Sequence, residues 1–262
     1  MSINVSLRKV RLCLGLMWAF NVVAGFCVEA WKYILHQPRN SLVYFFGLSY
    51  EQNFPTWYVA SLLLLCSVLL GLIACAKQRR KAAHVGHWWT LAAAFLYISL
   101  DETTEIHEQA SDWFDLGGFL YFGWVIPASI VVAVLGLSYL KFLAHLPRKT
   151  RNQFILAGAI YVGGALGTEF LLGYWTNLHG RRNLGYGLID WVQESMELFG
   201  VSLFLFSLTE YLGGPAGCIR ISLSDLAEPA VPPVSQPDSR SRVESFRPAN
   251  PVAQPEMADL CS

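Results

Sequence analysis

The segment LYISLDETTEIHEQ, residues 96–109, begins as apolar sequence suited to a membrane and becomes acidic without a break. On a helix, Asp101, Glu105 and Glu108 stand at positions i, i+4 and i+7 and share one face, with Glu102 beside it. Ionisable groups at the end of a lipid-spanning helix are costly unless they meet water, a metal ion or one another. This face therefore predicts a functional site. A solvated helix end is the alternative for Glu105 and Glu108, whereas Asp101 and Glu102 lie deeper.

Apolar runs dominate the rest of the chain. Of its 262 residues, 54% are hydrophobic and 15% are charged, against about 25% charged in an ordinary soluble domain. Six runs approach or exceed the roughly 20 residues that cross a bilayer, near 12–35, 56–76, 87–107, 118–142, 153–175 and 186–212. The sequence therefore predicts an all-α fold: a polytopic membrane protein with six transmembrane helices in a bundle.

Basic residues are concentrated on one side of these spans, although the net charge is zero. The segments before the first span and after the second and fourth hold eleven basic residues and no acidic one: Arg8, Lys9, Arg11, Lys77, Arg79, Arg80, Lys81, Lys141, Arg148, Lys149 and Arg151. By the positive-inside rule this side is cytoplasmic, which places both termini inside and the acidic groups outside. We interpret the first run as a retained signal anchor.

The composition becomes that of a polar tail from residue 214. Eight of the twelve prolines lie there, with scattered serine and charges of both signs. Such sequence cannot bury an apolar core. The predicted organisation is a six-helix transmembrane domain at 1–213 and a disordered Pro/Ser-rich cytoplasmic tail at 214–262. The six cysteines lie in the spans or the tail, and we expect them to be reduced.

The fifth and sixth spans carry further carboxylates in their outer halves. Glu169 follows a GxxxG step at 163–167, where a neighbouring helix can approach closely. Asp190, Glu194 and Glu197 repeat the i, i+4, i+7 face of the third span. Because this helix descends from outside, Glu194 and Glu197 lie roughly 10 to 15 Å below its start. We therefore expect the carboxylates of the three spans to converge near the outer third of the bilayer.

A site of this composition predicts a bound divalent metal ion. So many carboxylates in one low-dielectric place cannot all remain charged without cations, so either metal binds or several groups hold protons. The predicted metal ligands are Asp101, Glu105, His107, Glu108, Glu194 and Glu197. The predicted catalytic or supporting groups are Glu102 and Glu169. Carboxylates with an imidazole suit several metals, so the sequence leaves the metal's identity open.

Familiar metal-site motifs do not match. A di-iron bundle shows two Glu-x-x-His motifs, but Thr104 stands three residues before His107. His84 and His87 have i, i+3 spacing, yet they adjoin a basic run with no nearby carboxylate or cysteine, which favours an interfacial role. Six histidines are too few for a membrane desaturase. Nothing resembles a nucleophilic triad, a phosphate loop or a nucleic-acid patch, and we expect no nucleic-acid partner.

The loop TNLHGRRNLGYG, residues 176–187, is the strongest cationic segment on the predicted outer side. Its His179, Arg181 and Arg182 suit two roles equally. One is anchoring to lipid phosphate, and the other is binding of an anionic substrate.

Three functions fit the carboxylates. The first is a membrane-embedded metal-binding protein, with membrane lipids as partners and with enzymatic action on a lipid-like or other hydrophobic substrate left open. The second is a cation- or proton-coupled transporter that uses the same carboxylates as a relay. Transport requires polar groups that continue to the inner side, where the spans are almost wholly apolar. The third is a membrane scaffold or assembly factor. Oligomeric state is not predicted.

Four segments resemble those of a group of multi-pass bacterial membrane proteins without an assigned activity. They are EQNFPTWYVASLLLL (51–65), LYISLDETTEIHE (96–108), GGALGTEFLLG (163–173) and VQESMELFG (192–200). The resemblance covers roughly residues 50–212 and is most specific in the LDExxxIHE run. It implies a plasma-membrane protein of this topology, in the bacterial inner membrane. The motif positions are Glu51, Asp101, Glu102, His107, Glu108, Glu169, Glu194 and Glu197.

Overall fold

The computed structural model describes residues 2–34, 41–106, 121–214 and 218–222. Within these ranges the chain is almost wholly helical, which confirms the predicted all-α class. The helices are α1 (Leu7–Ile34), α2 (Ser41–Phe46), α3 (Phe54–Arg79), α4 (Val85–Thr104), α5 (Val125–His145), α6 (Arg148–Val162), α7 (Glu169–His179) and α8 (Leu184–Gly213). A π-helical segment, Gly163–Thr168, joins α6 to α7.

Five stretches of the described chain are long and apolar enough to cross a membrane. They are α1, α3, α5, the continuous stretch from α6 to α7, and α8. The chain is therefore a membrane protein with several candidate spans. The predicted third span, α4, is not among them, because its last turn carries Asp101 and Glu102 and its first turn carries His87.

Two serine hydroxyls fix α4 against α3. Ser67 Oγ of α3 donates to the carbonyl oxygen of Ala92 at 2.7 Å, and Ser99 Oγ of α4 donates to the carbonyl oxygen of Ala60 at 2.8 Å. Both hydrogen bonds are buried, and small hydroxyl side chains let apolar helices approach closely. Together they set the depth at which the acidic end of α4 lies in the bundle.

Helix α8 packs against α1 through two indole hydrogen bonds. Trp18 Nε1 of α1 donates to the carbonyl oxygen of Ser195 at 3.1 Å, and Trp191 Nε1 of α8 donates to the carbonyl oxygen of Val22 at 2.9 Å. A buried indole N–H needs an acceptor, so the two tryptophans favour one register between these helices. That register places the carboxylates of α8 in the interior of the bundle.

Close approach of α6 and α8 depends on two glycines. A Cβ atom on Gly200 would stand 2.8 Å from the backbone nitrogen of Tyr161, and a Cβ atom on Gly164 would stand 3.0 Å from Cγ of Glu197. Real Cβ atoms do not approach backbone that closely without movement. The two glycines therefore let the helix backbones meet beside the predicted site.

The predicted close approach through Gly163 and Gly167 was wrong at Gly167. An added Cβ atom there would meet no described residue within 4 Å. The π-helical segment explains the difference. Its wider turn shifts the phase of the helix by part of a turn, so Gly164 faces α8 instead. The hydroxyl of Thr168 donates to the carbonyl oxygen of Gly164 within this segment.

The two ends of the bundle differ in chemistry. We call the end that carries Glu29, Asp101 and Asp190 the acidic end, and the end that carries Arg79 and Lys149 the basic end. In the half nearer the basic end, the core is apolar and centres on buried side chains of α3, α4, α5, α6 and α8: Leu70, Trp88, Phe142, Phe154 and Leu208. The carboxylates of the predicted site lie in the other half.

Two short strands bring the described termini together. β1 (Ser2–Ser6) and β2 (Cys218–Ser222) pair antiparallel, with Ser2 opposite Ser222 and Ser6 opposite Cys218. The sequence analysis had assigned residues 218–222 to the disordered tail, but the compact unit extends to Ser222. The β-branched isoleucines of CIRIS suit a strand. Residues 223–262, the remainder of the predicted tail, lie outside the described residues.

Substituting Gly200→Ala should destabilise the bundle, because the new methyl group meets the backbone of α6. Overpacking of this kind costs about 1–3 kcal/mol. The measurement is the free energy of unfolding of purified protein in detergent. Gly15→Ala is the matched control, since no part of the described chain lies within 4 Å of its added Cβ atom. That change should be neutral or stabilising by up to about 1 kcal/mol. Equal effects of the two substitutions would contradict the packing.

Candidate functional site

Five carboxylates from three segments form one electrostatically connected group, the carboxylate cluster. Its members are Asp101 and Glu102 of α4, Glu169 of α7, and Glu194 and Glu197 of α8. Glu197 interacts with Glu102 and Glu169, and Glu194 interacts with Glu197 and Glu102. The phenol of Tyr161 on α6 interacts with both α4 carboxylates and with Glu194 and Glu197. The structure therefore brings together the acidic faces of the predicted third, fifth and sixth spans.

Gln193 links two members of the cluster, and the sequence analysis did not identify it. Its Nε2 atom donates to Glu169 Oε2 at 2.9 Å, and its side chain also hydrogen-bonds Glu197. Thr168 Oγ1 lies 3.2 Å from Gln193 Oε1, which competes with the carbonyl oxygen of Gly164 for the one hydroxyl proton. Gln193 and Glu197 are four residues apart, so their shared helical face was visible in the sequence. An amide between two acidic positions was the signal that could have found it.

The π-helical segment determines where Glu169 enters the bundle. It ends at Thr168, so Glu169 is the first residue of α7 and follows the widened turn directly. Glu169 is buried, with 7% of its surface exposed. Single π-helical turns within α-helices occur frequently at functional sites. Here the turn places a carboxylate against Gln193 of the neighbouring helix.

The charged groups that act most strongly on Glu194 are carboxylates. Its main electrostatic neighbours are the carboxylates of Glu197, Glu102, Asp190 and Glu51. Like charges in a low-dielectric bundle oppose one another's ionisation unless a cation or protons compensate them. The cluster is therefore a place where a cation, or a proton shared between carboxylates, is strongly favoured.

A second acidic pair continues the cluster toward the acidic end. Glu29 of α1 is 1% exposed, and its Oε1 atom accepts hydrogen bonds from Lys32 Nζ at 2.8 Å and from Ser49 Oγ at 3.2 Å. Asp190 of α8 also lies near Ser49, so the single Ser49 hydroxyl serves either carboxylate, and Asp190 interacts electrostatically with Glu29 and Glu194. In the described part of the chain, Glu29 Oε2 and Asp190 Oδ2 are buried without a hydrogen-bond partner. The sequence analysis gave Glu29 no role beyond an outer charge.

Glu105 does not continue the acidic face of α4 as the sequence predicted. The helix ends at Thr104, and Glu105 adopts a left-handed backbone with φ of 57°. Its Oε1 atom accepts a hydrogen bond from Gln52 Nε2 at 2.9 Å. The left-handed turn breaks the i, i+4 relation with Asp101, so the structure places Glu105 beside the loop before α3.

The predicted metal site is only partly described. His107 and Glu108 lie outside the described residues. Among the residues that are described, no group of three or more His, Cys, Asp or Glu side chains is arranged to hold a metal ion. Metal binding by Asp101, Glu105, Glu194 and Glu197 therefore stays a prediction.

An apolar cavity adjoins the carboxylate cluster. It has a volume of about 300 Å³ and lies among α4, α5, α6 and α8. Its walls include Phe95, Leu135, Phe204 and Tyr161. Tyr161 is also the residue that interacts with four members of the cluster. One side chain therefore lies between an apolar space and a group of carboxylates.

At the basic end, His145 lies beside the pair formed by His84 and His87. The ring of His84 lies 5.0 Å from that of His87 and 5.1 Å from that of His145, centroid to centroid. Partial burial, followed by the two neighbouring imidazoles, lowers the pKa of His84. His87 stacks on Phe142. These contacts fit the interfacial packing role that the sequence favoured.

These features define a multi-pass membrane protein. Its apolar helices enclose carboxylates from several segments, which form a polar site inside the bundle. The chain belongs to the family described as "Domain of unknown function (DUF8692)", whose model matches residues 13–211. The matched range includes every member of the carboxylate cluster. No curated protein and no solved structure matches the chain.

The hydrogen bond between Gln193 and Glu169 should be measurable as a coupling energy. We expect Gln193→Leu and Glu169→Leu to be non-additive by about 0.5–3 kcal/mol, because each single change removes one partner of the same contact. The measurement is the free energy of unfolding in detergent for the four proteins of the cycle.

A control cycle pairs Gln193→Leu with Glu210→Leu, near the other end of α8. Glu210 bonds Lys149 and Gln153 and has no contact with Gln193. These two changes should add within about 0.5 kcal/mol. Additivity in both cycles would show that Gln193 and Glu169 do not interact.

Proposed function

We propose that this protein binds a divalent metal ion in the carboxylate cluster and acts there on a lipid-like substrate. The observation that carries the proposal is the position of Tyr161, between the apolar cavity and the carboxylates. The cavity suits the apolar part of a substrate, because its lining is almost entirely hydrophobic. The substrate's polar end then meets the carboxylates.

The concentration of negative charge around Glu194 supports the proposal of a bound metal ion. The carboxylates that surround Glu194 need a compensating positive charge, and a divalent ion supplies it while ordering several oxygens at once. In this proposal Asp101, Glu194 and Glu197 supply oxygens, while Glu102 or Glu169 serves as general base or supports a ligand. His107 and Glu108 contribute from outside the described residues, and Glu105 has a peripheral place beside Gln52. An ion would draw these groups closer together than they stand in the structure.

The apolar half of the bundle favours a closed site over a transport path. A cation- or proton-coupled transporter needs polar groups that continue toward the basic end. There the described core is packed with apolar side chains of α3, α4, α5, α6 and α8, including Leu70, Trp88 and Phe142. A scaffold role would use the carboxylates to pair with a partner's cations, and the enclosed position of Glu169 argues against it.

A bundle of six spans with both termini in the cytoplasm is the topology we propose, in the bacterial inner membrane. Helix α4 has 20 residues, which at about 1.5 Å per residue match a hydrocarbon core of roughly 30 Å. Pairing of β1 with β2 supports an even number of crossings, because it holds both ends of the bundle on one side. The eleven basic residues support a cytoplasmic assignment for that side.

Cysteine labelling tests the crossing by α4. In a variant without native cysteines, Tyr121→Cys should react with a membrane-impermeant maleimide added to intact cells. Lys81→Cys should react only after permeabilisation, because α4 lies between the two positions. Labelling of both positions from the same side would show that α4 does not cross the membrane.

Metal content tests the proposed function. Purified full-length protein should retain a divalent metal ion by elemental analysis, and Glu197→Gln should lower its affinity for that ion at least about tenfold. The substitution removes a charge and one oxygen ligand and keeps the side-chain size. Glu210→Gln is the matched control on the same helix, and its metal content should be unchanged.

Failure of the wild-type protein to bind Mn²⁺, Fe²⁺, Zn²⁺ or Mg²⁺ would contradict the proposal. Proton-driven solute uptake by metal-free protein in vesicles would then favour the transporter instead.

A further inference from the structure

A pocket at the acidic end is lined by three cations and three phenols. Its volume is about 500 Å³, and it lies apart from the apolar cavity. The cationic side chains are Lys32, Arg181 and Arg182, and the phenols are Tyr33, Tyr50 and Tyr186. Ser49 completes the lining as far as the described residues show it, and none of these lining residues is a carboxylate. Such a lining offers many hydrogen-bond donors to a negatively charged ligand.

The walls of this pocket are fixed by two asparagines. Asn53 Nδ2 donates to the carbonyl oxygens of Gly47 at 2.6 Å and of Tyr50 at 2.7 Å, which holds the loop that carries Ser49 and Tyr50. Asn183 Nδ2 donates to the carbonyl oxygen of Gly180 at 2.7 Å. Asn183 Oδ1 accepts from Trp175 Nε1 at 2.8 Å. The loop that carries both arginines is therefore tied at each end.

The two arginines have no carboxylate partner within the part of the chain that is described. The Arg181 guanidinium stacks over the rings of Tyr121 at 5.5 Å and Phe122 at 5.1 Å. Stacking of this kind orients a guanidinium while leaving its N–H donors available. Both arginines are exposed, so their charge is open to a ligand.

Lys32 joins the pocket to the buried acidic pair. Its Nζ atom lies 2.8 Å from Glu29 Oε1 and also stands over the rings of Tyr33 and Tyr50, at 4.9 and 5.1 Å. These contacts hold the ammonium at the pocket wall. Glu29 balances its charge, so the net positive charge of the pocket comes chiefly from the arginines.

We propose that this pocket binds the phosphate group of a ligand at the membrane surface, with Arg181 and Arg182 as its main contacts. Planar guanidinium groups donate paired hydrogen bonds to phosphate oxygens. The pocket lies where α1 ends and α8 begins, which in the proposed topology is the level of the lipid phosphates. A phospholipid headgroup and a soluble phosphate ester share this chemistry. The site is independent of metal binding in the carboxylate cluster.

The test measures binding of dioctanoyl phosphatidylglycerol to the purified full-length protein by native mass spectrometry, with dioctanoylglycerol as the uncharged comparison. Arg181→Ala combined with Arg182→Ala should weaken binding of the phospholipid about 10-fold to 100-fold. Arg79→Ala combined with Arg80→Ala is the matched control, since it removes two exposed arginines at the basic end. The control should change binding less than about twofold.

A second titration, with inorganic phosphate and glycerol 3-phosphate, distinguishes a phospholipid headgroup from a soluble phosphate ester as the ligand. If the wild type binds inorganic phosphate or glycerol 3-phosphate and the Arg181/Arg182 variant does not, the pocket is a phosphate site and its ligand is soluble. Binding of the phospholipid alone would identify a headgroup. The proposal would be overturned if the wild type and the Arg181/Arg182 variant bound the phosphate-containing ligands with equal affinity. It would also be overturned if the wild type bound dioctanoylglycerol as tightly as dioctanoyl phosphatidylglycerol. Equal unfolding temperatures of the two arginine variants exclude misfolding as the cause.

Discussion

Mutual repulsion among carboxylates held inside an apolar bundle is the constraint on which the rest of this structure depends. A single charged residue near the centre of a bilayer costs about 2.5–3.5 kcal/mol on insertion scales. The carboxylate cluster gathers five acidic groups from three helical segments, with Asp190 and Glu29 next to it. Such an arrangement persists only if the helices are held firmly and the charges are compensated.

Backbone-directed hydrogen bonds hold these helices. Ser67 and Ser99 tie α3 to α4, and Trp18 and Trp191 tie α1 to α8, in each case by donating to a carbonyl oxygen of the other helix. Glycines at positions 164 and 200 let α6 and α8 approach at the level of the cluster. Polar contacts between helices are effective here because an apolar bundle offers few competing partners.

Much of this arrangement could be predicted from periodicity. The i, i+4, i+7 spacing placed Glu194 and Glu197 on one face of α8, and Glu169 stood out as a carboxylate within an apolar run. On α4 the same spacing was wrong at Glu105, and Asp101 and Glu102 are the described α4 residues that join the cluster. Three features depend on information that periodicity does not carry. The left-handed turn at Glu105 ends α4 one turn early, and the π-helical segment turns Gly164 toward α8. The hydrogen bond of Gln193 to Glu169 joins two separate segments, which the pattern within one helix does not specify. Pairing of Ser2–Ser6 with Cys218–Ser222 is a long-range contact that neither segment indicates alone.

Anomalous diffraction tests most directly our proposal that the carboxylate cluster binds a metal ion. Crystals of the full-length protein grown with Mn²⁺ should give an anomalous peak between α4 and α8. The peak should lie within about 2.6 Å of oxygen atoms from Glu194 or Glu197 and from at least one α4 carboxylate. Metal binding by the cluster would be contradicted by a map that lacks such a peak and shows its carboxylates as close hydrogen-bonded pairs that share protons.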